Sequence, residues 1–144
     1  SSGNAFPDDM RALDLSDRAK TLTSFLSDEA ITLSKQLNSG VLHLHCHDKS
    51  QGISSHEREW MQRCFKDLQE PESGCCGMAG TYGLKKKTRA IGQRLFERRL
   101  KPAINEATDG TFVVTNGFSC FEQISHGHTE RSVLHPVEVI EKCL

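Results

Sequence analysis

Two short strand-forming runs, each followed by a cysteine, constrain the fold of this 144-residue chain more than any other feature. Residues 41–46 (VLHLHC) follow Gly40 and present their side chains with a period of two, while residues 112–115 (FVVT) are β-branched and aromatic. Elsewhere the apolar positions recur every three or four residues, as in helices. Strands that alternate with helices predict an α/β domain, with a small, mostly parallel sheet flanked by helices.

The sequence before the first strand predicts a flexible lead over residues 1–15 and a helical lead over residues 16–39. The sequence Asn38-Ser39-Gly40 is expected to end this helix, and Ser27 allows a bend within it. The apolar stripe of the helical lead is Ala19, Leu22, Leu26, Ala30, Leu33 and Leu37. Residues 40–144 then form the α/β domain itself.

Two further helices are predicted between the strands. Ser54 and Glu57 have the spacing of a capping box, and the buried face of the helix that follows is expected to hold Trp60, Met61, Cys64, Phe65 and Leu68. After a glycine-rich loop, the next helix is expected to bury Leu84, Thr88, Ile91 and Leu95. Its exposed side carries eight basic residues over residues 85–101 against one acid, Glu97, which gives a net charge of +7.

The last part of the chain predicts a helix, a strand and a second helix. Ser119 is a candidate cap for a helix that carries Phe121 and Ile124. Val133-Leu134 is a candidate third strand, and Pro136 suits the first position of the last helix.

Length and charge exclude several classes of protein. A chain of 144 residues is enough for one domain of ordinary size. Its longest apolar run is three residues, which predicts no membrane-spanning helix and no signal peptide, and therefore a cytoplasmic protein. The net charge of -1 argues against a dedicated nucleic-acid binder.

Six cysteines are the most informative residues for function, because in a cytosolic chain such a set is more often metal-binding or catalytic than disulfide-forming. Cys46 and Cys120 each follow a predicted strand, and the carboxyl ends of parallel strands lie at one edge of the sheet. The adjacent pair Cys75-Cys76 lies in a glycine-rich loop that returns over that edge. We therefore expect these four thiols to converge and to suit zinc or an iron–sulfur cluster. Cys64 and Cys143 lie on helix faces and are expected in the core.

The histidines are weaker signals. His43 and His45 share one face of the first strand and His47 follows it, so any of the three is a candidate ligand or a donor to a ligand. Three more are expected at the surface or the sheet edge, with His135 nearest the site: His126, His128 and His135. Met78 and Tyr82 are expected to pack beneath the glycine-rich loop or to line the pocket.

The segments that contain the four cysteines resemble a known family. Cys46, GCCGMAGTYG at 74–83, NGFSC at 116–120 and HPVEVIE at 135–141 are similar to the CCG cysteine-rich domain. That domain occurs in heterodisulfide reductase and in the iron–sulfur subunits of glycolate oxidase and anaerobic glycerol-3-phosphate dehydrogenase. The resemblance extends over roughly residues 40–144 and is strongest to the C-terminal part of FAD-linked oxidases of the D-lactate and D-2-hydroxyglutarate dehydrogenase type. Gln123 stands where the family often has a further cysteine.

The resemblance implies that Cys46, Cys75, Cys76 and Cys120 are ligands of an iron–sulfur cluster, such as 4Fe-4S, or of another metal such as zinc, and that none of them is catalytic. It implies an electron-transfer domain of a flavoprotein oxidoreductase that oxidises a D-2-hydroxy acid. FAD would lie in another part of the enzyme, and the domain would not be active alone. The implied partners are the flavin-binding and ferredoxin-like parts and an electron acceptor. Through these partners the protein would be peripheral to the inner membrane.

Three other interpretations remain open. The first is a structural zinc module that docks onto the flavoprotein part, because zinc also takes four thiolates. The second is a thiol redox enzyme in which Cys75 or Cys76 is the attacking thiolate. In the third, the basic helix over residues 85–101 docks an acidic partner domain or a nucleic acid, or is simply a solvated face.

Overall fold

A computed structural model of the protein describes residues 5–52, 54–127 and 130–144. The chain divides into two compact units, Ser1–Ile31 and Thr32–Leu144. Among the described residues, no helix is long and apolar enough to cross a membrane.

Over residues 10–27, the first unit forms two short helices, α1 (Met10–Arg18) and α2 (Leu22–Ser27). The Asp9 side chain caps α1, and the Thr21 hydroxyl caps α2 by accepting a hydrogen bond from the Ser24 amide at 3.2 Å. The helix bounds differ from those expected for the helical lead over residues 16–39: one helix begins at Met10, and residues 28–36 are not helical. Polar side chains that bond the local backbone set the ends of these helices, and this effect outweighs the apolar spacing.

Four parallel strands form the sheet of the second unit: β1 (Leu37–His43), β2 (Phe65–Gln69), β3 (Phe112–Thr115) and β4 (Val133–Leu134). Their order is β2-β1-β3-β4. In the central pair, Gly40 of β1 lies opposite Phe112 and His43 lies opposite Thr115. The predicted α/β class with a parallel sheet and flanking helices is confirmed.

The described part of this unit also contains six helices: α3 (Cys46–Gln51), α4 (Ser55–Cys64), α5 (Arg89–Leu95), α6 (Lys101–Glu106), α7 (Phe118–His126) and α8 (Pro136–Cys143). A 3₁₀ turn covers Tyr82–Leu84, and a π-helical segment, Phe96–Leu100, joins α5 to α6. Pro102 cannot donate a backbone hydrogen bond, and its ring would clash with the carbonyl four residues earlier in a regular helix, which accounts for the wider turn just before it.

The first strand begins earlier and ends earlier than its sequence pattern predicts. It covers Leu37–His43 rather than residues 41–46, so Cys46 begins helix α3. The predicted stop at Gly40 is part of the strand, because the missing side chain leaves room for the Phe65 ring, which would lie only 2.9 Å from an added Cβ.

Strand β2 was not predicted at all. Phe65 and Leu68 were expected on the helix that contains Trp60, but the helix ends at Cys64 and Phe65 is extended, with φ -116° and ψ 144°. Phe65 pairs with Leu37 of β1. Its three-residue spacing from Leu68 imitates a helical stripe, and pairing in the sheet overrides that local signal.

The buried stripe of the basic helix is shifted from the predicted one. Leu84, Ile91 and Leu95 are 66%, 48% and 39% exposed, whereas Phe96 is fully buried. The stripe that faces the core is Gly92, Phe96, Leu100 and Ile104, at four-residue spacing. Glycine carries no apolar signal, so the true stripe lacked its first member in the sequence pattern.

Two core layers lie on the two sides of the sheet. One cluster joins Val41 and Val113 to the helices that follow the cysteine loop, through Phe96, Leu100 and Ile124. Helices α4 and α8 pack against each other, and α8 contacts β3.

The cysteines of helices α4 and α8 belong to the second layer. Cys64 and Cys143 are both fully buried there, as predicted. The Cys143 thiol points at the Cys64 carbonyl at 3.6 Å. Burial raises the pKa of Cys64 to about 12, helped by the neighbouring Cys143, so this thiol stays protonated.

Helix ends agree only partly with the predicted caps. The Ser54 side chain makes no capping bond, and Gly117 rather than Ser119 is the N-cap residue of α7. Pro136 does occupy the first position of α8, where His135 and Glu138 complete a capping box. The strand predicted at Val133-Leu134 is β4.

Candidate metal centre

The site lies where the strand order reverses. Strand β1 has β2 on one side and β3 on the other. The connection from β1 to β2 and the connection from β2 to β3 therefore run in opposite directions across the sheet. In open parallel sheets this switch point opens a crevice in which ligands bind. His43 is the last residue of β1, and Thr115, opposite it, is the last residue of β3.

Three buried side chains meet at this crevice. One imidazole nitrogen of His43 and the sulfur atoms of Cys76 and Cys120 all lie within 4.8 Å of one another. The three residues are 1%, 3% and 1% exposed. They come from a strand end, a loop and a helix, which only the fold brings together.

The two imidazole nitrogens of His43 have different surroundings. Nδ1 is hydrogen-bonded to the buried Ser73 hydroxyl at 2.8 Å. Nε2 is buried and has no hydrogen-bond partner within the described part of the chain. A buried nitrogen without a hydrogen-bond partner destabilises the fold unless a metal ion or other ligand binds it. Histidines that bind metals have the same arrangement: one ring nitrogen faces the metal and the other is held by a hydrogen bond.

Glycine places Cys76 by allowing two backbones to touch. Gly77 has φ +93°, and a Cβ on it would lie 2.0 Å from the Gly92 carbonyl oxygen. A Cβ on Gly92 would in turn lie 2.6 Å from the Gly77 oxygen. The cysteine loop is therefore seated directly on helix α5, at positions where only glycine fits.

Glycine also brings Cys120 close to the first strand's end. Cys120 lies in the first turn of α7, where the helix dipole favours a thiolate. A Cβ on Gly117 would lie 3.1 Å from the Cys120 sulfur and 3.0 Å from the His45 ring. The cap residue thus leaves just enough space for the thiol and the imidazole beside it.

The pKa values of the two buried thiols, Cys76 and Cys120, are shifted in opposite directions. Contact with the Cys120 thiol lowers the pKa of Cys76 far below the cysteine range, and His43 and the Met78 amide add to this against the opposing effect of burial. Cys120 beside the Cys76 thiolate, together with burial, has its pKa raised. Of the two thiols, Cys76 thus loses its proton more readily, and metal binding favours the deprotonated form of both.

The other two candidate ligands lie nearer the surface. Cys75 is half-buried and Cys46 is exposed, and both lie outside the group of three. Burial raises the pKa of Cys75, the Gly77 amide opposes this by donating to its sulfur at 3.3 Å, and the neighbouring thiols of Cys76 and Cys46 raise it further. Of the four predicted cysteines, two meet at the centre and two form a second pair at its rim.

A polar clamp joins the segment before Cys120 to the segments on both sides of Cys46. The Asn116 side chain accepts a hydrogen bond from the His45 amide and donates one to the Asp48 carboxylate, both at 2.8 Å. The loop after β3 is thereby tied to the loop and helix after β1. No sequence spacing signals this contact, since its partners lie about 70 positions apart.

An open apolar cavity of about 690 Å³ adjoins the site. His45, Met78, Gly117 and Phe118 are among its lining residues. Gly117 separates this cavity from the Cys120 sulfur, so the thiol lies close to a surface that other molecules can reach.

The remaining predicted site neighbours have other roles. His45 is half-buried beside the clamp, and His47 is exposed. His135, expected nearest the site, is exposed and accepts a hydrogen bond from the Val137 amide as the cap of α8. Met78 is buried in the core cluster, as expected, and Tyr82 is exposed. His128 lies outside the described residues.

The donor set fits a soft metal centre. Thiolates and a neutral imidazole suit zinc or an iron–sulfur cluster, and hard cations prefer oxygen ligands. The unpartnered His43 Nε2 and the paired thiols leave three donor atoms that face one another. The fold and this site together define a cysteine-rich parallel α/β domain built around a candidate metal centre.

The chain belongs to the CCG family of cysteine-rich domains, whose family model matches residues 41–125. D-2-hydroxyglutarate dehydrogenase of Pseudomonas putida is 33% identical over 99 residues, which cover 67% of this chain and 9% of that protein. One of the subunits of anaerobic glycerol-3-phosphate dehydrogenase of Escherichia coli K12 is 31% identical over 109 residues, 72% of this chain and 26% of that protein. D-2-hydroxyglutarate dehydrogenase of Haemophilus influenzae is 27% identical over 104 residues, 69% of this chain and 10% of that protein.

These curated relatives are all much longer than the matched region. The chain spans between about a tenth and a quarter of their length. No solved structure matches it significantly. The matches therefore describe a cysteine-rich domain of the type found in dehydrogenases, rather than a whole enzyme.

Proposed function

We propose that this domain holds a thiolate-ligated metal centre, an iron–sulfur cluster, that transfers electrons within a larger dehydrogenase. The observation that carries the proposal is the meeting of His43, Cys76 and Cys120 at the switch point of the sheet. All three residues are buried, and all three lie within the stretch that the family model matches.

Five residues of this chain would act as ligands of the centre, three buried and two nearer the surface. Cys76 and Cys120 would supply buried thiolates, with Cys75 and Cys46 as ligands on the exposed side. His43 would offer Nε2, held in orientation by the Ser73 hydroxyl. When bound, an iron–sulfur cluster supplies one-electron chemistry at a potential that nearby amide donors adjust. The Gly77 amide, 3.3 Å from the Cys75 sulfur, is such a donor.

The longer enzyme would act on a D-2-hydroxy acid. Two relatives named D-2-hydroxyglutarate dehydrogenase, at 33% and 27% identity, support this substrate class. A flavin such as FAD, in another part of the enzyme, would take the hydride, because this site offers thiols and an imidazole rather than a hydride acceptor. This domain would then pass electrons between the flavin-binding and ferredoxin-like parts and an external acceptor.

Anaerobic reconstitution with iron and sulfide tests the proposal. The wild-type protein should gain visible absorbance, an EPR signal after reduction, and matching iron and sulfide contents. Cys76→Ser, Cys120→Ser and Cys75→Ser should each lose most of the cluster. Cys64→Ala serves as the control, because Cys64 is equally buried but lies in the other core layer. No cluster in the wild type, or equal loading in Cys76→Ser, would refute the iron–sulfur centre.

A single zinc ion is the second candidate. The 4.8 Å limit on the distances among the three donor atoms favours it, because tetrahedral zinc keeps its ligands within a few ångströms of one another. Elemental analysis of protein purified without added metal separates the two candidates. Stoichiometric zinc with no visible chromophore would support the structural zinc site.

A further inference from the structure

The exposed side of helix α5 and the turn before it form an apolar patch. Leu84, Ile91 and Leu95 define this patch, and all three are exposed, Leu84 by 66%. Ile91 and Leu95 lie one helical turn apart, so they form a continuous apolar stripe. A stripe of two large exposed residues, with a third in the turn before it, is more typical of a docking site than scattered single residues are.

Basic residues flank the members of this apolar patch along the chain. Six exposed basic residues accompany it: Lys85, Lys86, Lys87, Arg89, Arg94 and Arg98. None of the six forms an ion pair with the residues that the structure describes. The single acid of the segment, Glu97, already faces Lys101 and Gln93. The charge of the patch is therefore unbalanced within the chain.

The patch is connected to the cysteine loop at two points. Leu95, Arg98 and Arg99 line a small cavity of about 210 Å³ together with Cys75, and Arg99 donates to the Glu72 carbonyl at 3.2 Å. On the other side of the helix, Gly92 is in backbone contact with Gly77. A molecule bound to the patch would thus lie beside the more exposed thiols of the site.

We propose that this patch docks an acidic protein surface: an apolar area, rimmed by carboxylates, on another domain of the dehydrogenase. Charge complementarity would orient the partner, and Ile91 and Leu95 would supply the contact that excludes water. The inference rests on the proposed function, since it names the partner of the thiol site. The much greater length of the relatives agrees with a partner on the same polypeptide or in the same enzyme complex.

A protein partner fits this surface better than a nucleic acid. Phosphate backbones need cations, but they do not need an aliphatic stripe in the centre of the basic face. The exposed residues of the stripe are leucine and isoleucine, which cannot stack on bases as aromatic rings do. Nucleic-acid binding therefore becomes an outcome that the experiment can detect.

Photo-crosslinking tests the docking surface. The photoreactive amino acid benzoylphenylalanine replaces Ile91 in the protein expressed from its complete reading frame, and the crosslinked peptide is identified by mass spectrometry. The same probe at Glu141, exposed on α8, is the control position. The expected product is a protein segment in which Asp and Glu outnumber Lys and Arg.

Salt and charge reversal complete the test. The yield should fall about tenfold when NaCl rises from about 0.05 M to about 0.5 M, because the charges are screened. Arg89→Glu with Arg94→Glu should lower it by a similar factor, and Lys142→Glu should leave it unchanged. A crosslink to nucleic acid, a segment without excess carboxylates, a yield insensitive to salt, or no yield above that at Glu141 would overturn the inference.

Metal loading of the same samples separates this inference from the proposed function. Normal loading without a specific crosslink overturns the docking surface alone. Absent loading together with a salt-sensitive acidic crosslink supports the docking surface and overturns the metal centre.

Discussion

Gly77 is the residue at which the smallest change should have the largest structural effect. Its φ of +93° disfavours any side chain, and a Cβ would lie 2.0 Å from the Gly92 oxygen. Gly77→Ala should therefore cost several kcal/mol of unfolding free energy, more than the ~1–2 kcal/mol of left-handed strain alone. Urea unfolding measures the difference.

Gly52 offers a matched control for that substitution. It has φ +70° but nothing within 4 Å of an added Cβ. Gly52→Ala should cost only the left-handed strain of about 1–2 kcal/mol. Equal losses in the two variants would show that contact with Gly92 does not hold the cysteine loop in place.

Ser73 tests whether His43 is held as a metal ligand. Ser73→Ala leaves the buried Nδ1 of His43 without its 2.8 Å partner, so unfolding free energy should fall by about 1–3 kcal/mol. Metal affinity should also fall, roughly 10- to 100-fold, because the ring loses its orientation. Metal titration and urea unfolding give both values, with Ser132→Ala at an exposed position as control. Lost stability with unchanged metal affinity would remove His43 from the ligand set.

The thiolate of Cys76 predicts how the stability of the metal-free protein depends on pH. Its pKa is lowered to about 4 in the folded state, chiefly by contact with Cys120, from an ordinary value of 9.0. Between these two values unfolding takes up a proton. Stability should therefore rise with pH across that window, by at most about 1.4 kcal/mol per pH unit, and should be lost as pH falls toward 4.

Comparison with Cys76→Ser isolates this contribution from those of other titrating groups. Urea unfolding of both reduced proteins from about pH 5 to about pH 8 gives the two slopes. The wild type should show the steeper rise with pH. Parallel curves would mean that Cys76 carries its proton in the folded state.

Sequence reasoning placed the four cysteines at one sheet edge but could not rank them. Cys76 and Cys120 meet at the centre, whereas Cys75 and Cys46 lie nearer the surface. Cys46 was expected at the end of the strand, but β1 ends at His43, three residues earlier. The same shift makes His43, rather than His45 or His47, the histidine of the site. The spacing of residues along the chain does not show where β1 begins and ends, because its bounds depend on its pairing with β3.

Helix α5, which carries Ile91 and Leu95 of the apolar patch, shows how a shift of one residue changes which face of a helix is buried. The predicted stripe and the true stripe both have helical spacing, and they differ by one position: the prediction buries Ile91 and Leu95, whereas the structure buries Gly92 and Phe96. The true stripe includes Gly92, which the cysteine loop needs, so packing against Gly77 decided between two patterns that local sequence could not separate. Ile91 and Leu95, which were expected in the core, therefore lie in an exposed apolar patch.

Two substitutions on this helix test the assignment. Phe96→Ala should cost about 3–5 kcal/mol of unfolding free energy, because it empties a fully buried position in the core cluster. Leu95→Ala, next to it but 39% exposed, should stay within about 1 kcal/mol of the wild type. Urea unfolding distinguishes them. Similar losses at both positions would restore the stripe predicted from the sequence.

At the scale of the whole molecule, the site lies at the edge of the sheet, and most of the core cluster lies outside the donor group. The sheet is flanked by one layer that contains Phe96 and Leu100 and by another that contains Cys64 and Cys143. Only Cys76 and Cys120 belong both to the core cluster and to the donor group. The fold class could be predicted because the spacing of apolar residues determines the alternation of strands and helices, and this spacing does not depend on a bound ligand.

That separation predicts that the second unit stays folded when metal is removed. Chelation under reducing conditions should leave the far-ultraviolet circular dichroism nearly unchanged, in contrast to small zinc modules that unfold without metal. The melting temperature should still fall, since a ligand at 100 to 1,000 times its Kd stabilises by about 3–4 kcal/mol. Cys76→Ser should melt at the same temperature with and without chelator. Loss of the helical signal on chelation would mean that the metal, rather than the two core layers, holds the sheet and its helices together.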